Sequence, residues 1–247
     1  MTDPSTGDEA ARREELAHNL AAVRARIERA CAGVGRDPDE VTLVVVTKTH
    51  PARDVRLLAD LGVRNVAENR DQEAARKAAE CRGAPLTWHF VGQLQTNKVR
   101  SVTEYADVVH SVDRTRLVAA LSTAAQQRGR ELDCLLQIAL DKESGEGGGR
   151  GGASPADARE LGAAVTAAPG LRLAGVMTVA PLSGPYAGDP RAAFERLMEI
   201  SRSLRTVDPG ANMVSAGMSS DLEEAVTAGA THVRVGSAVL GVRPTLR

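Results

Sequence analysis

From Val41 onward the chain alternates short apolar, β-branched runs with stretches in which apolar residues recur every three or four positions. The short runs lie at 41–48, 65–69, 86–92, 107–113, 132–140, 171–180, 212–218 and 232–236, and their near-continuous apolar character predicts strands buried on both faces. The stretches between them, Asp54–Leu61, Asp71–Arg82, Thr96–Tyr105, Arg114–Arg128, Pro155–Ala168, Pro190–Thr206 and Asp221–Ala228, predict helices. Eight strands in strict alternation with helices predict an α/β fold, a closed parallel (β/α)8 TIM barrel. An open doubly wound sheet is the alternative, but no GxGxxG follows the first run, which weakens its dinucleotide-binding form. Upstream, Leu16, Leu20, Val23 and Ile27 mark one face of an extra N-terminal helix that packs on the barrel. Residues 1–8 are polar and expected to be disordered, which leaves 9–247 as one barrel domain. The glycine-rich segment Gly145–Gly152 lacks the Gly-Lys-Ser/Thr ending of a phosphate loop, and is expected to be a mobile loop over the barrel mouth.

Functional groups of such barrels collect at the C-terminal ends of the strands. The first strand ends at Lys48, one of only four lysines in a chain with 31 basic residues. Arginine dominates elsewhere, so a lysine here suggests work that a guanidinium cannot do: a Schiff base with a carbonyl. A solvated strand-end lysine is the plain alternative. The seventh and eighth strands end in Gly217-Met218-Ser219-Ser220 and Gly236-Ser237. These adjacent loops are where (β/α)8 proteins commonly hold a phosphate on backbone N–H and hydroxyl groups. Ser219 or Ser220 would also serve as N-cap of a helix starting at Asp221, which accounts for one serine but not for hydroxyls in both loops. On the eighth strand Val233 and Val235 suit the helix-facing side, so Arg234 points into the barrel. A charge there needs a partner, either a structural salt bridge or a polar ligand atom. A ligand carrying both an aldehyde and a phosphate satisfies the lysine, the cradle and the arginine together, and pyridoxal 5′-phosphate (PLP) is such a ligand.

Composition narrows the classes further. A formal net charge of -1 and 2% aromatic content give neither a field nor stacking platforms for nucleic acid. Cys31, Cys81 and Cys134 are far apart and odd in number, as expected of core residues in a reducing compartment. No run approaches a membrane span, and the polar, acidic N-terminus is unlike a signal peptide, so a cytoplasmic protein is expected. His89 and His110 lie on strands and read as satisfied core histidines, with no spacing that suggests a metal.

The segments Val46-Thr47-Lys48-Thr49-His50-Pro51, Ala67-Glu68-Asn69, Trp88-His89-Phe90-Val91-Gly92-Gln93-Leu94-Gln95-Thr96-Asn97-Lys98, His110-Ser111-Val112-Asp113, Gly175-Val176-Met177-Thr178, Ser215-Ala216-Gly217-Met218-Ser219-Ser220-Asp221 and Arg234-Val235-Gly236-Ser237 resemble the pyridoxal phosphate homeostasis protein family. That family comprises the barrel-only relatives of the alanine racemase N-terminal domain, a fold-type III PLP barrel. The resemblance implies that Lys48 forms the Schiff base and that Ser219, Ser220, Gly236 and Ser237 hold the phosphate. It also implies that Asn69 and Arg234 lie near the ring, Arg234 at its nitrogen, and that Met218 packs close by. The chain departs from the family pattern at Arg70, where a tyrosine is usual, and at His50 and Arg150, where lysines are frequent. These changes remove amines that could relay the cofactor.

Racemases with this barrel carry a second domain and a tyrosine base from the partner subunit. Here the strands finish near Gly241, and Tyr105 and Tyr186, the only tyrosines, have no clear claim to the mouth. The expectation is therefore a non-enzymatic carrier that buffers PLP, with no catalytic residue. Its expected partners are PLP and the apo-enzymes that use it, with no nucleic acid or membrane, as a monomer or weak dimer. Two alternatives stand beside it: a PLP-dependent amino-acid racemase and a cofactor-free lysine Schiff-base aldolase.

Overall fold

A computed structural model describes residues 4–141 and 151–241. Strands β1 (Thr42–Val46), β2 (Asn65–Glu68), β3 (Thr87–Phe90), β4 (Val108–Val112), β5 (Leu132–Gln137), β6 (Leu171–Met177), β7 (Met213–Ser215) and β8 (His232–Val235) close into one parallel barrel in sequence order. Helices α2 (Ala52–Asp60), α3 (Asp71–Glu80), α4 (Val99–Tyr105), α5 (Thr115–Arg128), α6 (Ala158–Thr166), α7 (Pro190–Leu204) and α8 (Leu222–Ala228) fill the crossovers. The expected alternation is therefore present, with strands shorter than the apolar runs that announced them. The closed barrel also removes the open-sheet alternative. A four-residue helix α9 (Ser237–Leu240) follows β8 and was not anticipated, because so short a segment carries no period.

Helix α1 (Pro4–Ala32) is longer than the apolar pattern requires and begins inside the stretch 1–8 expected to lack structure. Its Leu16, Leu20, Val23 and Ile27 are buried against Val55, Leu58, Val233 and Val239, so the extra helix covers the seam between β8 and β1. Polar ends complete the docking. Arg12 Nη2 donates to the Leu240 carbonyl at 3.0 Å, and Asn19 Nδ2 to the Val239 carbonyl at 3.0 Å. These carbonyls at the end of α9 have no partner inside so short a helix. Most of the segment Gly145–Gly152, and Arg150 with it, lies outside the described residues. Among those described, no helix is long and apolar enough to cross a membrane.

Strand parity sorts the interior. Val44 is level with both Arg234 and Asn65, and Ala67 is level with His89. These residues share the inner face, while Val233 and Val235 pack outward on the helices, as their alternation implied. One part of the inner layer is apolar, with Val108, Leu135, Ala174 and Met177 in contact. Another part is polar, with Ser215, His89, His110 and Arg234 at most 4% exposed.

Candidate functional site

A cavity of about 550 Å³ opens where β1, β7 and β8 end. Seven of the eight expected ligand residues line it: Lys48, Met218, Ser219, Ser220, Arg234, Gly236 and Ser237. The eighth, Asn69, is not among the lining residues, and its Oδ1 is buried without a hydrogen-bond partner. The backbone explains its seat: a side chain at Gly92 would lie 2.2 Å from the Asn69 carbonyl oxygen, so glycine lets the ends of β2 and β3 meet. Val46, Thr49, His50 and Gly241 also line the cavity and were not expected to.

Lys48 sits in a tight turn just past β1, half-buried. Thr49 takes φ 67°, the one described non-glycine residue in the left-handed region, and its N–H donates to Glu73 Oε1 at 2.5 Å. Beneath the turn, Lys77 Nζ donates to the Thr47 carbonyl at 2.8 Å and to Glu73 Oε1 at 2.9 Å, and pairs with Glu68. Glu68 also accepts from Thr47 Oγ1 at 2.6 Å. Burial pushes the Glu68 carboxyl up despite Lys77. A cluster of Lys77 and Glu73 on α3 with the buried Glu68 on β2 therefore holds both residues that flank Lys48. Nothing in the one-dimensional pattern marks it, because Lys77 and Glu68 read as ordinary charges.

The serine loops are built differently from the capping expectation. Helix α8 starts at Leu222 with Asp221 at the N-cap position, so neither Ser219 nor Ser220 caps it. Asp221 turns back instead, and its Oδ1 accepts the Met218 N–H at 2.5 Å. Gly217 makes this possible with φ 87°, where a side chain would also collide with Ala225. Both serines are left at the cavity, and Ser219 Oγ lies 3.3 Å from Ser237 Oγ. Gly236 backs against the Val46 carbonyl, where an added Cβ would stand at 3.2 Å.

Arg234 points inward as expected, but it does not sit in a salt bridge. Nη1 donates to Ser215 Oγ at 2.6 Å and Nη2 to the Thr178 carbonyl at 2.8 Å, both neutral acceptors. Burial pushes its pKa down to about 10, with Asp221 opposing. It remains a cation at neutral pH, lines the cavity, and makes no salt bridge among the described residues. His50 is buried, with Nδ1 3.6 Å from Asp54 Oδ2, which also accepts from Arg12 Nη2 at 2.7 Å. Burial lowers the His50 pKa, Asp54 opposing. Tyr105 is far from any such role: its ring packs edge-on to Trp88 and its hydroxyl is buried without a partner.

The two core histidines behave as their strand positions suggested. Burial, with His232 adding, pushes His89 down to about 3, and burial pushes His110 well below the usual imidazole range. Below the unfolded value near 6.5 the unfolded chain takes up protons that the folded barrel refuses. Stability is therefore expected to be flat above that pH and to fall below it, by about 2 kcal/mol per imidazole between pH 7 and 5. Urea midpoints at the two pH values measure this, and His89→Gln should make the decline shallower.

A closed (β/α)8 barrel with a lysine after β1 and glycine-serine loops after β7 and β8 defines the alanine racemase N-terminal class, and the family model "Alanine racemase, N-terminal domain" matches residues 13–244. Within that class the chain belongs to the pyridoxal phosphate homeostasis protein family. It is 40% identical over 248 residues to the pyridoxal phosphate homeostasis protein of Mycobacterium tuberculosis, covering 94% of each chain. It is 41% identical over 228 residues to that of Pseudomonas aeruginosa, covering 92% of this chain and 96% of the relative. The solved structure of PipY from Synechococcus elongatus, with PLP bound, superposes with a TM-score of 0.78 at 34% identity, covering 92% of this chain and 100% of PipY.

Proposed function

We propose that this protein binds PLP in the β1/β7/β8 cavity, retains it reversibly on Lys48, and buffers the free cofactor. The observation that carries this reading is a buried arginine, charged and hydrogen-bonded among the described residues only to neutral oxygens, beside an amine and three serines in one cavity. Charged groups are buried only when something compensates them. PLP supplies a phosphate, an aldehyde and a ring nitrogen that accepts a hydrogen bond. Ser219, Ser220, Ser237 and the backbone at Gly236 take the phosphate, Lys48 takes the aldehyde, and Arg234 donates to the ring nitrogen. Met218, partly exposed at the rim, covers the ring. The buried, unpartnered Oδ1 of Asn69, just past β2, lies outside the cavity lining. Family membership and the PLP held by PipY support the same assignment.

A carrier role fits this lining better than catalysis. Arg234 disfavours protonation of the ring nitrogen, which weakens the ring as an electron sink. Besides Lys48, the described lining offers one imidazole, His50, and its Nδ1 is turned toward Asp54. A racemase needs two opposed bases at the α-carbon. Apo-enzymes that depend on PLP are the natural recipients of the buffered cofactor, released by transfer to their own lysines.

Titration of purified protein with PLP, with pyridoxal and with pyridoxine 5′-phosphate separates the contributions. PLP should bind at least about tenfold more tightly than either analogue, since each lacks one of the two recognised groups. Failure of PLP to bind, or rapid turnover of amino acids by the PLP-loaded protein, would overturn the carrier reading. A protein trapped by borohydride only with a sugar phosphate would favour the cofactor-free aldolase.

A further inference from the structure

A string of hydrogen bonds crosses the barrel interior on residues from five strands. It starts at Arg234 on β8, whose Nη1 donates to Ser215 Oγ on β7 at 2.6 Å. Ser215 Oγ lies 3.1 Å from His110 Nδ1 on β4, and His110 Nε2 lies 2.8 Å from His89 Nδ1 on β3. His89 Nε2 ends the string 3.0 Å from Asn65 Oδ1 on β2. Asn65 lines a separate cavity of about 360 Å³ beside the N-terminal ends of β1 and β2, so the string runs from one end of the barrel to the other.

The two ends dictate where every proton sits. Arginine can only donate, and a carbonyl-type oxygen can only accept. Asn65 Oδ1 therefore requires the proton of His89 on Nε2, leaving Nδ1 to accept. His110 must then carry its proton on Nε2 and accept on Nδ1, which Ser215 supplies from its hydroxyl. Ser215 is left with lone pairs for the guanidinium. Every link is satisfied in one direction, and burial keeps both imidazoles neutral. Each dipole turns its acceptor end toward Arg234, and aligned links polarise one another.

A core that needed only to be filled would use apolar side chains, as the neighbouring layer of Val108, Leu135, Ala174 and Met177 does. The string instead holds a buried cation by neutral oxygens. A carboxylate in the place of Ser215 would pair with the guanidinium and spend its charge internally. We propose that His89, His110 and Ser215 are positioning residues: they fix the Arg234 guanidinium facing the cavity and leave its charge for the ligand. Selectivity for a ring with an acceptor nitrogen then resides in this string as much as in the arginine. This inference rests on PLP being the ligand.

The test compares PLP with its 1-deaza analogue, in which C–H replaces the ring nitrogen. Wild type should prefer PLP by about tenfold, the worth of one charge-assisted hydrogen bond. Ser215→Ala should reduce that preference to within about twofold, and Ser215→Thr, which keeps the hydroxyl, should preserve it. Asn65→Leu cuts the string at its far end, touching neither Arg234 nor the ligand, and should lower the preference by about threefold. It carries the comparison alone if Ser215→Ala does not fold. A purely structural role predicts equal losses for both ligands and an unchanged ratio, and that result overturns the proposal. Wild type that binds both ligands equally also overturns it while leaving the cofactor assignment standing, whereas wild type that binds neither sinks the assignment itself.

Discussion

Lys48→Arg is expected to abolish retention of PLP through gel filtration, while thermal unfolding stays within about 0.5 kcal/mol of wild type. The substitution keeps the positive charge and most of the side-chain volume. It removes the one property the account depends on, a nucleophilic primary amine. Lys48 is half-buried in a turn held by its neighbours rather than by its own head group, so the fold does not lean on its nitrogen. Phosphate and ring contacts remain in the variant, which should still bind PLP weakly and reversibly. Retention equal to wild type would mean that the covalent bond is made elsewhere or not at all.

The second large effect is on stability. Lys77→Met is expected to cost about 3–5 kcal/mol, because it strands Glu68 without its counter-charge in a site where Glu68 is 0% exposed. The penalty has a ceiling, since burial already raises the Glu68 pKa and the carboxyl can take up a proton. The double variant Lys77→Met/Glu68→Gln should therefore recover much of the loss. Function should suffer as well. Lys77 holds the carbonyl of Thr47 and also Glu73, which accepts the N–H of Thr49, so losing Lys77 loosens the turn that presents Lys48. Urea midpoints of the two variants, read beside PLP affinity, check both statements. A loss below about 1 kcal/mol for Lys77→Met would show that the pair contributes little.

Some of this was legible before any coordinates, and for physical reasons. Period-two alternation turned Arg234 inward because Val233 and Val235 can only face the helices. The scarcity of lysine singled out Lys48, and small hydroxyl residues at the ends of two adjacent strands pointed to a cradle. Other features depend on contacts that sequence spacing does not encode. Arg12 reaches the Leu240 carbonyl across 228 positions, and it reads in the sequence as one more solvated arginine on a helix. His89 and His110 are each plausible core residues, and only the register of β3 and β4 makes them a pair. Ser219 and Ser220 were readable as caps because the helix was placed to start at Asp221; the start at Leu222 gives the cap position to Asp221 itself. Asn69 is assigned to the site by resemblance alone; its buried Oδ1 has no hydrogen-bond partner among the described residues, and it does not line the cavity. The close approach that seats its backbone depends on Gly92, a contact between strand ends that sequence spacing does not encode.

The central claim concerns a single nitrogen. Borohydride reduction of PLP-loaded wild type, followed by peptide mapping, should place the pyridoxyl group on Lys48 and leave Lys77, Lys98 and Lys142 unmodified. A pyridoxyl group on one of those three lysines, or none at all, would contradict the account.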